Sequence, residues 1–343
     1  MNTTRLAVVG MEAKIGPADD LDAFARSIYD GEPLHLDQER GADDLLARVI
    51  DRALDDAHLD GNQDVFLLII DPESTPRTVF EALAEAQQRL TSGLETPVVI
   101  AAGNAGNAGA LVLRDLAYAR ARTDRIYAVI AGLALEDDAR SPESIEAICR
   151  HAWAQTELSK DMVGYLELAG SVDLERETAT MEGLRRAYQM PQSDLTCGLG
   201  SAVQNGNVVP VAEMASLIKT ILCLHQRFLP AQPNWHGPEA LERWQETAFY
   251  VNTASRPWFA PQGGRRVAAL HSISGERTRA HVVLSDEAGP RRSNRYVRHA
   301  AHFLPIAAES REALLTQLHK FHRQAAASAN HADLRALVHR MCH

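Results

Sequence analysis

Ala108-Gly-Ala-Leu-Val-Leu-Arg-Asp-Leu-Ala-Tyr-Ala119, followed after a short polar interval by Asp124-Arg-Ile-Tyr-Ala-Val-Ile-Ala-Gly132, sets the architecture of this chain. Its two apolar runs, Ala110–Leu113 and Ile126–Ala131, are short, continuous and rich in branched residues, so they read as buried strands. The same runs recur outward in both directions, at Leu6–Val9, Val65–Ile70, Pro97–Ala102, Val163–Leu168, Val267–His271 and His281–Leu284. Between them lie stretches of helical period: Leu21–Tyr29, Asp43–Ala57, Thr78–Thr91, Pro142–Gln155, Leu174–Tyr188 and Met214–His225. In Asp43–Ala57 the residues Leu45, Leu46, Val49, Ile50, Ala53 and Leu54 recur at helical spacing and demand a buried face. Ser141-Pro142-Glu143-Ser144 combines a helix cap, a proline at the first helical position and an early acid. The alternation is that of a layered α/β protein.

Composition narrows the function. With 45 acidic against 35 basic residues, the net charge of -10 excludes a broad phosphate-binding surface, and nucleic acid with it. The four cysteines form no CxxC pair, which points away from a disulfide framework or zinc knuckle and toward a reducing, cytoplasmic setting. No apolar run approaches a membrane span, and no secretion signal opens the chain.

Particular segments carry a resemblance. Arg5-Leu-Ala-Val-Val-Gly-Met11, Leu217-Ile-Lys-Thr-Ile221, Arg256-Pro-Trp258 and Ala280-His-Val-Val-Leu284 stand in the order and spacing of the opening and closing segments of a β-ketoacyl synthase. The Ala108–Gly132 passage resembles the strand, helix and strand that open that family's second half. The resemblance implies a thiolase-like fold of two related halves, each with a five-stranded mixed sheet, stacked as helix, sheet, helix, sheet and helix. It further implies a shortened first half, because little lies between Gly31 and Asp43 or between Ala102 and Ala108.

Carried across residue by residue, the resemblance finds the family's chemistry missing. Tyr165-Leu-Glu-Leu-Ala-Gly-Ser171 takes the place of the Glu-Ala-His-Gly-Thr segment and puts Ala169 where a histidine belongs. Counting back from Leu217 puts the second histidine's position at Asn207. The nucleophilic cysteine's position falls on Pro76, with Ser74 two residues earlier. Ser274-Gly-Glu-Arg-Thr-Arg279 replaces a glycine-rich loop, and Glu276 and Arg277 would crowd an oxyanion site there. These positions imply a catalytically inactive domain with no cofactor and no metal.

A narrower resemblance rests on Leu224–Ala231, Trp235, Arg243-Trp244, Ala248–Tyr250 and Ala254–Phe259. These are similar to the ketosynthase-like region at the start of the PfaB-type subunit of polyunsaturated fatty acid synthases, which precedes an acyltransferase. Residues 1–288 would then form the degenerate ketosynthase-like domain. Residues 289–343 would form a linker toward the acyltransferase, entered through the breaker-rich Glu287–Asn294 and carrying a helix over Ser310–Ala325. The implied role is a scaffold for an acyltransferase and an acyl carrier protein in a polyunsaturated fatty acid or polyketide synthase. Two alternatives stay open: a chain-length-factor-like partner of an active ketosynthase or a homodimer, and residual acyl transfer or thioester hydrolysis through Ser74 or Cys197.

Other signals have plain readings. The glycine-rich Gly103–Gly109 lacks GxGxxG spacing and reads as a crossover between the two halves. His319 and His322, on a linker helix with His331, His339 and His343 downstream, read as surface histidines. Cys223 reads as a small core residue, Cys197 as structural, His281 as a hydrogen-bonded core residue, and Trp235, Trp244 and Trp258 as packing anchors.

Overall fold

The computed structural model describes residues 5–32, 34–36, 44–59, 63–70, 77–91, 95–104, 106–169, 174–188, 196–205, 209–232, 247–260, 264–272, 278–287 and 306–326. The chain divides into two compact units, Met1–Ala288 and Gly289–His343. The first half of the larger unit holds β1 (Leu6–Lys14), α1 (Leu21–Asp30), β2 (Leu34–His35), α2 (Leu45–Asp56), β3 (Phe66–Ile70), α3 (Val79–Thr91), β4 (Val98–Gly103), β5 (Ala108–Asp115) and α4 (Leu116–Ala121). Its second half begins with β6 (Ala128–Asp137), α5 (Pro142–Ala154), β7 (Val163–Ala169), α6 (Leu174–Ala187), β8 (Cys197–Gly200), β9 (Val203–Asn205) and α7 (Val209–Gln226). It ends with β10 (Phe228–Leu229), β11 (Phe249–Val251), β12 (Arg256–Pro257), β13 (Val267–Ser272) and β14 (Thr278–Ser285).

Ten strands form one sheet in the order β11-β8-β7-β13-β14-β6-β1-β5-β4-β3. The expected pair of sheets is joined because the first strand of each half pairs antiparallel with the other, Leu6 opposite Ile130 and Val8 opposite Ala128. Strand alternation then sorts side chains to two faces. Leu6, Val8, Leu111, Leu113, Leu270, Val282 and Leu284 point inward and pack with α3 and α7. Outward, Ala7, Val99 and Val112 meet α2 and α4, while Leu166, Ala269 and Val283 meet α5 and α6. The order helix, sheet, helix, sheet, helix follows. The middle layer dictates the rest: side chains 210–224 of α7 are all buried, as an apolar helix without a polar face requires.

The halves repeat one plan. Strand, central helix, strand and antiparallel neighbour occur as β3-α3-β4-β5 and again as β8-α7-β13-β14. In the first half β3 pairs directly with β4, whereas β7 intervenes between β8 and β13 in the second. Among the described residues β7 has no counterpart in the first half, which is where that half is short. Outer helices approach the two opening strands alike. Gly10 of β1 lies against Ala53 of α2 and Ala57 just beyond it, and Gly132 of β6 lies against Ala152 and Thr156, at the end of α5 and just beyond it.

One sequence expectation is corrected. The Gly103–Gly109 run carries the end of β4 and the start of β5, which pair antiparallel within the first half, Gly103 opposite Ala108, so it is not a crossover between halves. Asn104 closes it, its N–H donating to the Asn107 carbonyl at 2.8 Å and its Oδ1 accepting from the Gly106 and Asn107 N–H groups. The smaller unit contributes α8 (Arg311–Ala326), on which Leu314 and Phe321 are half-buried and Leu315 and Leu318 exposed. No helix among the described residues is long and apolar enough to cross a membrane.

The close approach of β6 to α5 is open to test. A Cβ at Gly132 would fall far inside contact distance of the Ala152 carbonyl oxygen. Gly132→Ala is expected to destabilise the chain by about 1–3 kcal/mol in chemical denaturation, the usual cost of overpacking.

Candidate functional site

Strands β7 and β13 end side by side at Ala169 and Ser272. Ala169 is the last residue of β7, fully buried and turned to the inner face. Its partner in the parallel register is Ser272 of β13. The Ser272 hydroxyl faces Glu213 of α7 at 3.4 Å, and the other oxygen of that carboxyl group accepts from the N–H of Val79 at 2.9 Å. Val79 is the first residue of α3. A single buried acid thus ties the start of one central helix to the other.

Local sequence explains why that N–H is available. Thr78 and Glu81 cap α3 reciprocally: the Glu81 N–H donates to Thr78 Oγ1 at 3.1 Å, and the Thr78 N–H donates to Glu81 Oε2 at 2.7 Å. The box leaves the Val79 N–H unserved, and Glu213 takes it. A carboxylate at a helix N-terminus is favourable, but Glu213 is wholly buried. Burial pushes its pKa up to about 8, against the lowering effect of the Val79 and Ser272 hydrogen bonds. Near neutral pH this acid is therefore largely protonated.

Two residues before Ala169, Glu167 points to the same face. Lys219 Nζ lies 3.0 Å from its Oε2, with both side chains buried, and the Tyr165 hydroxyl donates to the same oxygen. Cys197 opens β8 and is fully buried; burial raises its thiol pKa, and no basic group offsets the shift. Cys223 is buried on α7, as expected of a core residue. Trp258 packs edge-on against Tyr165. His281 is buried with its Nε2 2.6 Å from the Tyr188 hydroxyl.

Of the positions that the resemblance assigns to the family's catalytic groups, only Ala169 is described. Pro76, Ser74, Asn207, Glu276 and Arg277 lie outside the described residues, as do Trp235 and Trp244. His319 and His322 are exposed on α8. Sequence reasoning alone misses Glu213; its signal is a lone acid inside the apolar Val209–Leu224 run. An open depression along α3, lined by Glu81, Ala84, Glu85, Gln88, Arg89 and Leu135, lies apart from Ala169, Ser272 and Glu213.

The acid gives a pH signature. Because its folded pKa is raised above the usual carboxylate value, its contribution to stability is fully present below about 4.5 and is lost as pH rises through about 8. Glu213→Gln keeps an acceptor for the Val79 N–H without the ionisation. Unfolding midpoints measured from pH 6 to 9 should fall more steeply for the wild type than for Glu213→Gln, with the gap widening toward high pH; parallel curves would refute the assignment.

Comparison with known proteins agrees with this architecture. Residues 127–236 match the β-ketoacyl synthase C-terminal domain. The chain is 33% identical over 189 residues to a phenolphthiocerol/phthiocerol polyketide synthase of Mycobacterium tuberculosis, covering 52% of this chain and 13% of that protein. It is 30% identical over 257 residues to a polyunsaturated fatty acid synthase polypeptide of a Thraustochytrium species, covering 68% of this chain and 12% of that protein. The chain therefore spans only about an eighth of these relatives. Among solved structures, an oxazolomycin ketosynthase domain of Streptomyces albus superimposes with a TM-score of 0.66 at 24% identity, covering 83% of this chain and 96% of that one. The ketosynthase from module 6 of the Bacillus subtilis bacillaene synthase gives a TM-score of 0.70 at 17% identity, covering 83% and 72%. This chain has the thiolase-like fold of these ketosynthase structures, and its residues 127–236 are similar to the β-ketoacyl synthase C-terminal domain.

Proposed function

We propose that this chain is a catalytically silent ketosynthase-like domain that orients an acyltransferase and its acyl carrier protein within a polyunsaturated fatty acid or polyketide synthase. The observation that carries the reading is the Glu213 carboxyl group on the Val79 N–H. A ketosynthase needs the start of this central helix for its nucleophile and for backbone donors that meet the oxyanion. Here a side chain from the neighbouring helix takes the donor. Ala169, at the position inferred for a family histidine, offers no imidazole to assist decarboxylation. Residual acyl transfer through Cys197 finds no support, since the thiol is buried and held protonated.

The kinship with large synthase polypeptides supports neighbouring domains as partners and a cytoplasmic setting. The narrower likeness to a PfaB-type polypeptide, with residues 1–288 as the silent domain and 289–343 as its linker, belongs to the same proposal. A chain-length-factor-like partnership with an active ketosynthase, or a homodimer, is favoured by one observation. Strand β3 ends the sheet, and its Leu67 and Ile69 are exposed.

The test is chemical. Incubated with acyl and malonyl thioesters, the protein should show no acyl adduct by intact mass and form no ketoacyl product. The triple variant Pro76→Cys, Ala169→His and Asn207→His should stay inert as well, because it supplies side chains while Glu213 still occupies the helix N-terminus. Acylation of the introduced cysteine followed by condensation would show that the pocket had survived and would end the scaffold reading.

A further inference from the structure

On the outer face of the second half, away from Ala169 and Glu213, a second buried cluster gathers beneath α5. Cys149 of α5, His271 of β13 and His281 of β14 are each fully buried, and one ligand atom from each lies within 4.8 Å of the other two. Nδ1 of His281 is 3.5 Å from Cys149 Sγ and 3.3 Å from His271 Nδ1. We infer that Cys149, His271 and His281 form a structural site for a zinc-type cation that clamps α5 to the sheet.

Hydrogen bonding alone does not account for the triangle. A ring nitrogen carries either one hydrogen or one lone pair, so Nδ1 of His281 can satisfy only one of its two contacts with a two-centre hydrogen bond. A cation inside the triangle engages all three atoms at once. Metal bonds of about 2.3 Å to sulfur and about 2.0–2.1 Å to nitrogen at tetrahedral angles place S and N about 3.5 Å apart and two N about 3.3 Å apart. The His281–Cys149 and His281–His271 separations match those edges, and the Cys149–His271 edge lies within 4.8 Å.

The surroundings suit the donors. The Tyr188 hydroxyl, itself accepting from Trp153 Nε1 at 3.1 Å, holds Nε2 of His281 and so fixes the ring's orientation. Cys149 binds as thiolate: its S–H bond breaks, the S–metal bond forms, and the proton leaves to solvent. Because all three ligands are enclosed, the cation enters as the chain folds.

The full chain, free of any tag, is refolded with one equivalent of Zn2+ or with chelator, desalted, and its metal counted by mass spectrometry. The wild type should hold about one zinc per chain and refold to a lower thermal midpoint in chelator, with folded Cys149→Val holding at least about tenfold less zinc. Folded wild type refolded with zinc yet carrying less than about a tenth of an equivalent would overturn the site, as would an unchanged content in folded Cys149→Val. Should Cys149→Val fail to fold, cobalt-refolded wild type decides. A thiolate-to-cobalt charge-transfer band supports the site, and its absence from folded, cobalt-treated protein rejects it.

Discussion

The buried Lys219–Glu167 ion pair is the constraint around which the larger unit is organised. Removing two charges from water is costly, and the cost is offset only where geometry and further hydrogen bonds are good. Here the Tyr165 hydroxyl adds a donor to the carboxylate. The pair thereby fixes the register of α7 against β7, since a slip along either element would leave a charge uncompensated inside the core. With α7 fixed, the inner faces of both halves have a reference to pack on, and the close approach of Gly109 to Met214 and Ile218 shows how near the first half comes to it.

The join between halves rests on a second polar knot. Asp56, at the end of α2, accepts from the Met11 N–H of β1 at 3.1 Å and from the Tyr127 hydroxyl at 2.8 Å, and pairs with Arg125. Arg125 and Tyr127 lie just before β6. One carboxylate therefore holds the outer helix of the first half to the opening strands of both halves, where the sheet becomes continuous. Helix α5 lies over the opening strand of the second half much as α2 lies over β1, and its Cys149 reaches across to His271 of β13 and His281 of β14.

Much of the architecture was legible because the signals were local. The Asp43–Ala57 periodicity became α2 with Leu45, Val49 and Ala53 buried, and Ser141-Pro142 became a capping box at the start of α5. The unread parts depend on distant partners. Cys197–Gly200 holds two glycines and only one large apolar side chain, and it becomes a strand because β7 and β11 flank it. Helix α7 starts earlier than expected because Pro210 falls in its first turn, where no N–H is needed. The site was harder still. Glu213 acquires meaning only from Val79, 134 residues away, and His271 only from strand alternation that turns it from Ser272 toward Cys149.

The silence proposed for this domain and its intact fold are physically compatible because they use different parts of the same elements. Packing draws on the inner and outer faces of the strands, which alternate along their whole length, whereas the family's chemistry belongs to strand ends and helix starts. Substitutions at those ends leave the faces unchanged. An empty pocket lined by unserved backbone donors would nonetheless carry a penalty, because a buried N–H without an acceptor costs more than the bond it could make. The Glu213 carboxyl group relieves that penalty at Val79. On the proposed reading of a silent domain, the acid is a packing solution to the loss of a substrate site, and its raised pKa follows from its burial.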